Sequence, residues 1–351
     1  MKKNIVIYIL LSLTCIHADG FNVKKYYSAI DKAEISICNG DLKGSKDYYR
    51  RAFKIAGNAM NYKNMHNYFI VATKLQDSNA IKTLLPILKG KGFMYKYYKY
   101  SIDNYIDSQH VSKYLKLYNN TDMVKIDIDS NYIHILDSLV NVDQNSNKYL
   151  RSINKGILND YGKDSLDKIG KANLIFMKDL FIKKFPSDLF LGSQFSPLYV
   201  STYNVIMIHN GQLGNYHYLD SIYYYALCQG LIDPSEFDAY CHYYAGGNSN
   251  DQSLSIGDKK IKATTIPYDL VEMNDSLFQY QVPDSIVSKI NENRKLILGL
   301  CNAHNLRKKM VYQYLHQEYN FINSFIIKLN ANTIPKRIKD KLIFIGTRKH
   351  I

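Results

Sequence analysis

The sequence predicts an all-α protein in which helical hairpins are followed by a larger, irregular helical domain. Apolar residues recur at spacings of three and four through most of the chain, which is the period of an amphipathic helix. Short polar or glycine-containing segments interrupt these runs, whereas the alternating pattern of strands is scarce. At 351 residues the chain is long enough for about two domains with cores of their own.

Residues 1–18 have the pattern of a secretory signal peptide. Lys2 and Lys3 precede an apolar run from 5 to 16, and a small residue, Ala18, ends the segment. We therefore expect an exported protein that is periplasmic or associated with an outer membrane. Cys15 supports an alternative, because the residues before it resemble a lipoprotein cleavage site, at which lipidation of the cysteine anchors the chain to a membrane.

The net charge of +14 favours anionic partners. Export argues against nucleic acid, and no basic tract with interleaved glycine or aromatic residues marks a nucleic-acid binder. The abundance of lysine, asparagine, isoleucine and tyrosine, with no tryptophan, is also typical of an AT-rich genome. We expect a general attraction to anionic envelope surfaces and no nucleic-acid partner.

Residues 21–125 are predicted to form helical hairpins. The first hairpin has two apolar faces on either side of a turn at 39–41, formed by Tyr26, Ile30, Ala33 and Ile37 and by Tyr48, Tyr49, Ala52, Phe53 and Ala56. Residues 60–91 repeat this layout, with a turn at 76–79. Pro86 is expected to kink or shorten the fourth helix.

The first hairpin resembles a tetratricopeptide repeat. The resemblance lies in the turn and the second helix, at Gly40, Leu42, Ser45, Tyr49 and Ala52. Repeats of this kind need neighbours to bury their faces, so the resemblance implies hairpins docked on the domain that follows. It also implies a concave surface for partner segments.

One or two more helices are expected between 95 and 129, and a helical domain is predicted over 126–330. Within that domain the sequence predicts helices over 133–184, 285–305 and 311–329, and a helix, stop and helix between 197 and 244. At that stop, Gly230 ends one helix and Asp233 caps the next, with Pro234 in its first turn. Residues 245–258 are predicted to be a mobile loop, and the basic tail 331–351 to be loosely packed.

The cysteines do not form a disulfide framework. Apart from Cys15 they are Cys38, Cys228, Cys241 and Cys301, and no C-x-x-C occurs. Buried free thiols are expected, and a bridge between Cys228 and Cys241 is the alternative if the flanking helices pack antiparallel.

Spaced elements between about residues 130 and 310 resemble an uncharacterised family of exported bacterial helical domains. They are Asp143-Gln144, Asn173, Phe185-Pro186-Ser187 with Gly192, His209, Gly230-x-Ile232-x-Pro234-x-x-Phe237, and Ile290-x-x-x-Arg294 with Gly299-Leu300. The family has no established activity, so the resemblance implies a fold and a compartment rather than a reaction.

Several charged members of this family pattern are missing. Cys241 and His242 replace an acid–base pair, Asn147 stands beside Lys148 where the family has an arginine, and Gly170 replaces an aspartate. The loss of charged residues favours a scaffold over an intact active site.

Three residues are nevertheless candidates for catalysis: His209, Asp143 and Arg294. His209 would be a general base or a metal ligand, or else a histidine satisfied by one hydrogen bond in the core or at a helix end. Asp143 and Arg294 would form a two-pronged contact that orients a substrate or joins two helices. Gln144, Asn173 and His242 are the candidate binding residues.

The sequence contains no recognisable metal or nucleotide motif. We find no H-E-x-x-H, no Cys/His pair at finger spacing, no G-x-S-x-G and no phosphate-binding glycine loop. His209 and His217 would meet only across a glycine-containing break. We therefore expect no metal and no cofactor.

These patterns favour a non-enzymatic scaffold that binds a protein or peptide partner in the cell envelope. Tyrosine-rich helices suit such surfaces, because the ring supplies contact area and the hydroxyl supplies a hydrogen bond; the chain has 32 tyrosines. The alternative is a hydrolase of an envelope substrate that uses His209 with Asp143 and is oriented by Arg294. Membrane attachment through Cys15 is compatible with either function.

Overall fold

The computed structural model describes residues 22–126, 129–153, 160–187, 206, 219–243, 253–256, 259–262, 269–321, 327–328 and 339–347. Most of these residues are helical, and the first helices form hairpins. The predicted all-α class with helical hairpins is therefore confirmed. The chain divides into two compact units, which are described separately. The first contains residues 125–232 and 239–262, and the second contains residues 20–124, 233–238 and 263–351.

Six helices at the start of the described chain belong to the second unit. They are α1 Val23–Cys38, α2 Leu42–Ala56, α3 Tyr62–Lys74, α4 Ser78–Gly90, α5 Tyr95–Tyr105 and α6 Ser108–Asn120. Helix α1 packs on α2 and α3 packs on α4, so both predicted hairpins form. Helix α4 continues past Pro86 to Gly90, so of the two predicted effects of this proline the helix does not show shortening.

Polar side chains define where four of these helices begin. Asn22, Asp41, Asn61 and Asp77 each accept a hydrogen bond from a backbone N–H in the first turn that follows. Gly40, with φ of 78°, turns the chain between α1 and α2. The predicted apolar face of α1 is buried against α2, including Ala33 and Ile37.

The first unit is built on two long helices, α7 Ser130–Ile153 and α8 Asp160–Lys183, which pack on each other. Helix α9 Asp220–Cys228 and a short antiparallel pair, β1 Ser253–Ile256 and β2 Lys259–Lys262, complete its described part. Helix α10 Pro234–Tyr243 begins in the second unit and ends in the first. Tyr223 of α9 stacks on Tyr240 of α10 at 4.1 Å between ring centroids, and the Tyr240 hydroxyl donates to Asp220.

The second unit also contains a four-stranded sheet and two more helices. The elements are β3 Leu270–Met273, β4 Ser276–Tyr280, α11 Asp284–Lys295, α12 Ala303–Leu315, β5 Ile327–Lys328 and β6 Leu342–Thr347. The strand order is β5-β3-β4-β6, in which β5 is parallel to β3 and the other pairs are antiparallel. Helix α12 packs on α1, so the two ends of the chain build one core.

The C-terminal third of the chain corrects several predictions. Residues 253–256 pair as strand β1 instead of forming part of a mobile loop, and β6 pairs with β4 within the tail that was predicted to be loosely packed. The helix predicted over 285–305 is broken between α11 and α12, where Gly299 has φ of 79°. The last predicted helix ends at Leu315 instead of continuing to 329.

The helix, stop and helix predicted between 197 and 244 is described only in its second half. Gly230 adopts φ of 72° directly after α9, and Asp233 caps α10, as predicted. The first predicted helix, which includes His209, lies outside the described residues except at Ile206.

Candidate functional site

A cluster of charged side chains lies in the core of the second unit. Its members are Asp31 and Glu34 of α1, Lys63 of α3, Asp233 and Asp238 beside or within α10, Arg294 of α11 and Lys309 of α12. All are buried except Asp31, which is half-buried. Five separate elements therefore bring together four carboxylates and three cations, and ion pairs lower the cost of burying these charges.

Lys63 connects the start of α3 to the start of α10. Its Nζ lies 2.7 Å from Oδ2 of Asp233, and it donates to Ser235 Oγ at 2.6 Å and to the backbone carbonyl of Phe321 at 2.8 Å. The ammonium group thus makes two hydrogen bonds and one ion pair. A lysine held in this way is a structural cation.

Asp233 also begins α10. Its Oδ1 accepts hydrogen bonds from the backbone N–H groups of Ser235 and Glu236, at 2.7 and 3.2 Å. The Glu236 carboxylate in turn accepts from the Asp233 N–H at 3.0 Å, which completes a reciprocal capping box. One carboxylate thus caps a helix and neutralises a buried lysine.

Arg294 joins α11 to α10. It donates from a terminal nitrogen to Oδ2 of Asp238 at 2.8 Å and from Nε to the carbonyl of Cys301. Both charged side chains are 2% exposed, so the ion pair is shielded from solvent. Removing either partner would deprive the other buried charge of this ion pair.

Lys309 joins α12 to α1. Its Nζ lies 2.6 Å from Asp31 Oδ1 and 2.7 Å from Glu34 Oε2. Burial alone would lower the pKa of Lys309, but the carboxylates of Glu34 and Asp31 hold it well above its ordinary value. Burial raises the pKa of the Glu34 carboxyl, and Lys309 acts against this rise.

The cluster lines a cavity of about 40 Å³. This volume has room for about three water molecules, far less than the pocket of several hundred Å³ that a drug-sized ligand requires. Glu34 Oε1 and Asn64 Oδ1 are buried acceptors with no hydrogen-bond donor among the described residues, and both residues line the cavity. A polar cavity of this size suits water rather than an organic substrate.

The chemistry available to the cluster is limited by its ion pairs. Ser235 contacts Lys63 as a nucleophile contacts a base, but the Lys63 side chain also pairs with Asp233 and donates to the Phe321 carbonyl, so it is held as an ion-pair partner and not as a general base. Cys301 lines the cavity, and burial raises the pKa of its thiol, so little thiolate forms at neutral pH. The arrangement is suited to stabilising the fold.

Of the predicted catalytic and binding residues that the structure describes, Arg294 alone lies in this cluster. Asp143 lies in the first unit, where it is buried and accepts a hydrogen bond from Gln144 at 3.1 Å. Asn173 is also buried there. The pairing of Asp143 with Arg294 stays a prediction, and the described ion pair of Arg294 is with Asp238.

Several predictions fall on residues that are not described. His209, His217 and Cys15 lie outside the described residues, and so do the side chains of Cys241 and His242. The hydrolase alternative, the possible bridge from Cys228 to Cys241 and lipidation at Cys15 therefore stay predictions.

Glu34, Lys63, Asp238 and Lys309 were not predicted from the sequence to be functional or paired residues. A signal was present for Glu34, which directly follows Ala33 on the apolar face of α1. A charged residue on the apolar face of a predicted helix requires an ion-pair or hydrogen-bond partner in the core. This requirement can be inferred from the sequence. The partners themselves come from elements nearly 300 positions apart, which a periodic pattern cannot reveal.

Neither a metal site nor a membrane-spanning helix occurs in the described residues. No group of three or more histidine, cysteine, aspartate or glutamate side chains is arranged to hold a metal ion within these ranges. None of the helices in the described part of the chain combines the length and the apolar character needed to cross a membrane.

Comparisons with known proteins give no match: no protein-family model fits the chain, and neither a curated protein nor a solved structure is similar to it. The resemblances to tetratricopeptide repeats and to an exported helical domain therefore stay predictions.

Proposed function

We propose that the chain is an exported, non-enzymatic scaffold that binds a protein or peptide segment in the cell envelope. The observation that supports this proposal is the solvent face of α5. Four large side chains in and beside this helix are exposed within seven positions: Met94 (39%), Tyr95 (40%), Tyr97 (36%) and Tyr100 (46%). Tyrosine and methionine are enriched in protein interfaces, where tyrosine is a frequent energetic anchor.

Neighbouring rings fix part of this surface in place. Tyr95 packs edge-on against Tyr118 of α6 at 5.2 Å between centroids, and the Tyr118 hydroxyl donates to the carbonyl of Phe93 at 2.7 Å. A surface that is already ordered loses less conformational entropy on binding. The exposed tyrosines of α5 are therefore suited to recognition.

The charges around this face favour an acidic partner. Lys96 lies over the Tyr97 ring, with Nζ 4.9 Å from the centroid, and Lys99 pairs with Asp103. Lys96 remains available to a carboxylate, because the ring contact does not neutralise its charge. We expect a segment that places an acidic residue near Lys96 and apolar residues between Tyr97 and Tyr100.

The buried cluster supports a scaffold rather than an enzyme. Its cations are paired with carboxylates and its cavity is too small for an organic substrate. The side chains that α5 exposes offer contact area and hydrogen bonding instead.

The test is selection from a phage-displayed library of random peptides with the chain from Asp19 onward, the predicted mature form. We expect enrichment of acidic peptides that bind wild type at least about tenfold more tightly than Tyr97→Ala/Tyr100→Ala. Tyr149→Ala is the matched control, because Tyr149 is an exposed tyrosine on α7. Enriched peptides that bind the double variant as well as wild type would contradict the proposal.

A further inference from the structure

The first hairpin has a strongly basic surface. Seven of its exposed side chains are basic: Lys24, Lys25, Lys32, Lys43, Arg50, Arg51 and Lys54. Only Asp41 and Asp47 are exposed acids between residues 22 and 56, and Asp41 caps α2 by accepting from the backbone N–H of Gly44. Exposed basic side chains therefore outnumber exposed acidic ones by five in this hairpin.

The basic side chains of the two helices meet around one tyrosine. Lys32 of α1 and Arg51 of α2 both lie against the Tyr48 ring, at 5.8 and 5.3 Å from its centroid. On α2 the spacing of residues 43, 47, 50, 51 and 54 places them on one side of the helix. Apart from Asp47, the exposed charged side chains on that side are basic, so the two helices form one largely basic face.

Most of this charge is not neutralised within the protein. Arg50 pairs with Asp47 at 3.0 Å, and both side chains are more than half exposed. Lys43, Arg51 and Lys54 make no ion pair with any other residue that the structure describes. Exposed lysine and arginine side chains near an anionic surface each contribute favourably to binding.

We propose that this basic face docks on the phosphate headgroups of an anionic phospholipid membrane. Two observations favour lipid over an acidic protein. Among residues 22–56 no large apolar side chain is exposed, so the face lacks the anchors typical of protein interfaces. Asn22, where the described chain begins, follows Cys15 by seven residues, which span at most about 25 Å.

The short stretch between Cys15 and Asn22 would favour membrane binding by the hairpin. An N-terminus held at a membrane, as lipidation of Cys15 predicts, would keep the hairpin at a high effective concentration near the headgroups. Electrostatic docking of the basic face would then orient the hairpin on the surface without inserting it. The proposal concerns α1 and α2 and does not depend on peptide binding by α5.

The test is co-sedimentation of the chain from Asp19 onward with vesicles, so that neither signal peptide nor lipid contributes. One set of vesicles contains equal parts of phosphatidylcholine and phosphatidylglycerol, and the other contains phosphatidylcholine alone. We expect binding only to the anionic vesicles, and its loss near 1 M salt, where charges are screened beyond about 3 Å. Lys43→Gln/Arg51→Gln/Lys54→Gln should weaken this binding about a hundredfold, since each charge contributes about fivefold.

The matched control is Lys113→Gln/Lys116→Gln/Lys289→Gln, which removes the same charge from exposed positions on α6 and α11. It should bind the vesicles much more tightly than the hairpin variant, and both variants should unfold at the wild-type temperature. Equal weakening in the two triple variants would show that only net charge matters and would overturn the proposal. Binding to polyglutamate but not to anionic vesicles would overturn it in favour of an acidic protein partner.

Discussion

At the scale of single residues, the charged cluster of the second unit contains three cations that would be costly to bury alone. Lys63, Arg294 and Lys309 each lie within 2.8 Å of a carboxylate oxygen. Each pair also joins two different elements, so the charges determine which helices pack together. Such pairs are better at specifying one arrangement than at adding net stability, because desolvation offsets most of the attraction.

His66 of α3 also shows the cost of burying a charge, because burial is the cause that favours its neutral form. Its ring lies between Tyr62, at 6.3 Å, and Phe93, at 5.6 Å between centroids, and burial lowers its pKa to about 4. An unfolded histidine titrates near pH 6.5. The neutral ring therefore favours the folded state above about pH 6.5, and this stabilisation is lost as the pH falls toward 4.

His66→Phe removes this titration. We expect the free energy of unfolding of wild type, relative to His66→Phe, to decrease as the pH falls from about 6.5 to 4. Urea unfolding across that range measures the difference, with His304→Phe at an exposed position as the control. A difference that does not change with pH would show that His66 is not kept neutral by the fold.

Arg294 was identified from the sequence, while its described partner was not. The spacing Ile290-x-x-x-Arg294 indicated a residue with a role, but the carboxylate beside it comes from Asp238, on an element 56 positions earlier. Sequence periodicity shows which side of a helix is buried. It does not show which other helix covers that side.

At the scale of elements, the N-terminal hairpins were predictable, whereas the strands and the bounds of the later helices were not. The hairpins α1–α2 and α3–α4 have long amphipathic repeats and polar caps, and both signals are local. Strand β3 has four residues, all buried, so it shows no alternation. Its turn into β4 uses Asn274 and Asp275, both with positive φ, instead of the more recognisable Asn-Gly.

The segment between α11 and α12 depends on Gly299. A Cβ atom there would lie 2.6 Å from Pro234 Cγ and 2.8 Å from Tyr27 Cδ2, and φ is 79°. The glycine therefore lets the segment approach both α1 and the start of α10. Any larger residue would have to move one of them.

We expect Gly299→Ala to lower the free energy of unfolding by about 2–4 kcal/mol, the sum of backbone strain and overpacking. Gly40→Ala is the matched control, because Gly40 has φ of 78° and no atom within 4 Å of an added Cβ. It should cost only the backbone strain, about 1–2 kcal/mol. Equal losses in the two variants would mean that the close approach at Gly299 is not a constraint.

At the scale of the whole molecule, the second unit is assembled from distant parts of the chain. Residues 20–124 and 263–351 belong to it together with 233–238. The sequence predicted hairpins followed by further helices along the chain. The hydrogen bond from Lys309 to Asp31 instead joins residues 278 positions apart. Contacts at this separation leave no periodic trace in a single sequence, which is why the composition of this core was not predictable.

Lys309 provides the most direct test that the buried cluster is a structural core and not an active site. We would measure the free energy of unfolding of Lys309→Met at pH 7 against wild type, with Lys308→Met as the control at a less buried neighbour. We expect a loss of about 3–5 kcal/mol for Lys309→Met, because Glu34 loses its ion pair in the core, and a change within about 0.5 kcal/mol for the control. An unchanged or higher stability for Lys309→Met would show that the cluster is not a structural core, because residues held in place for function commonly reduce stability.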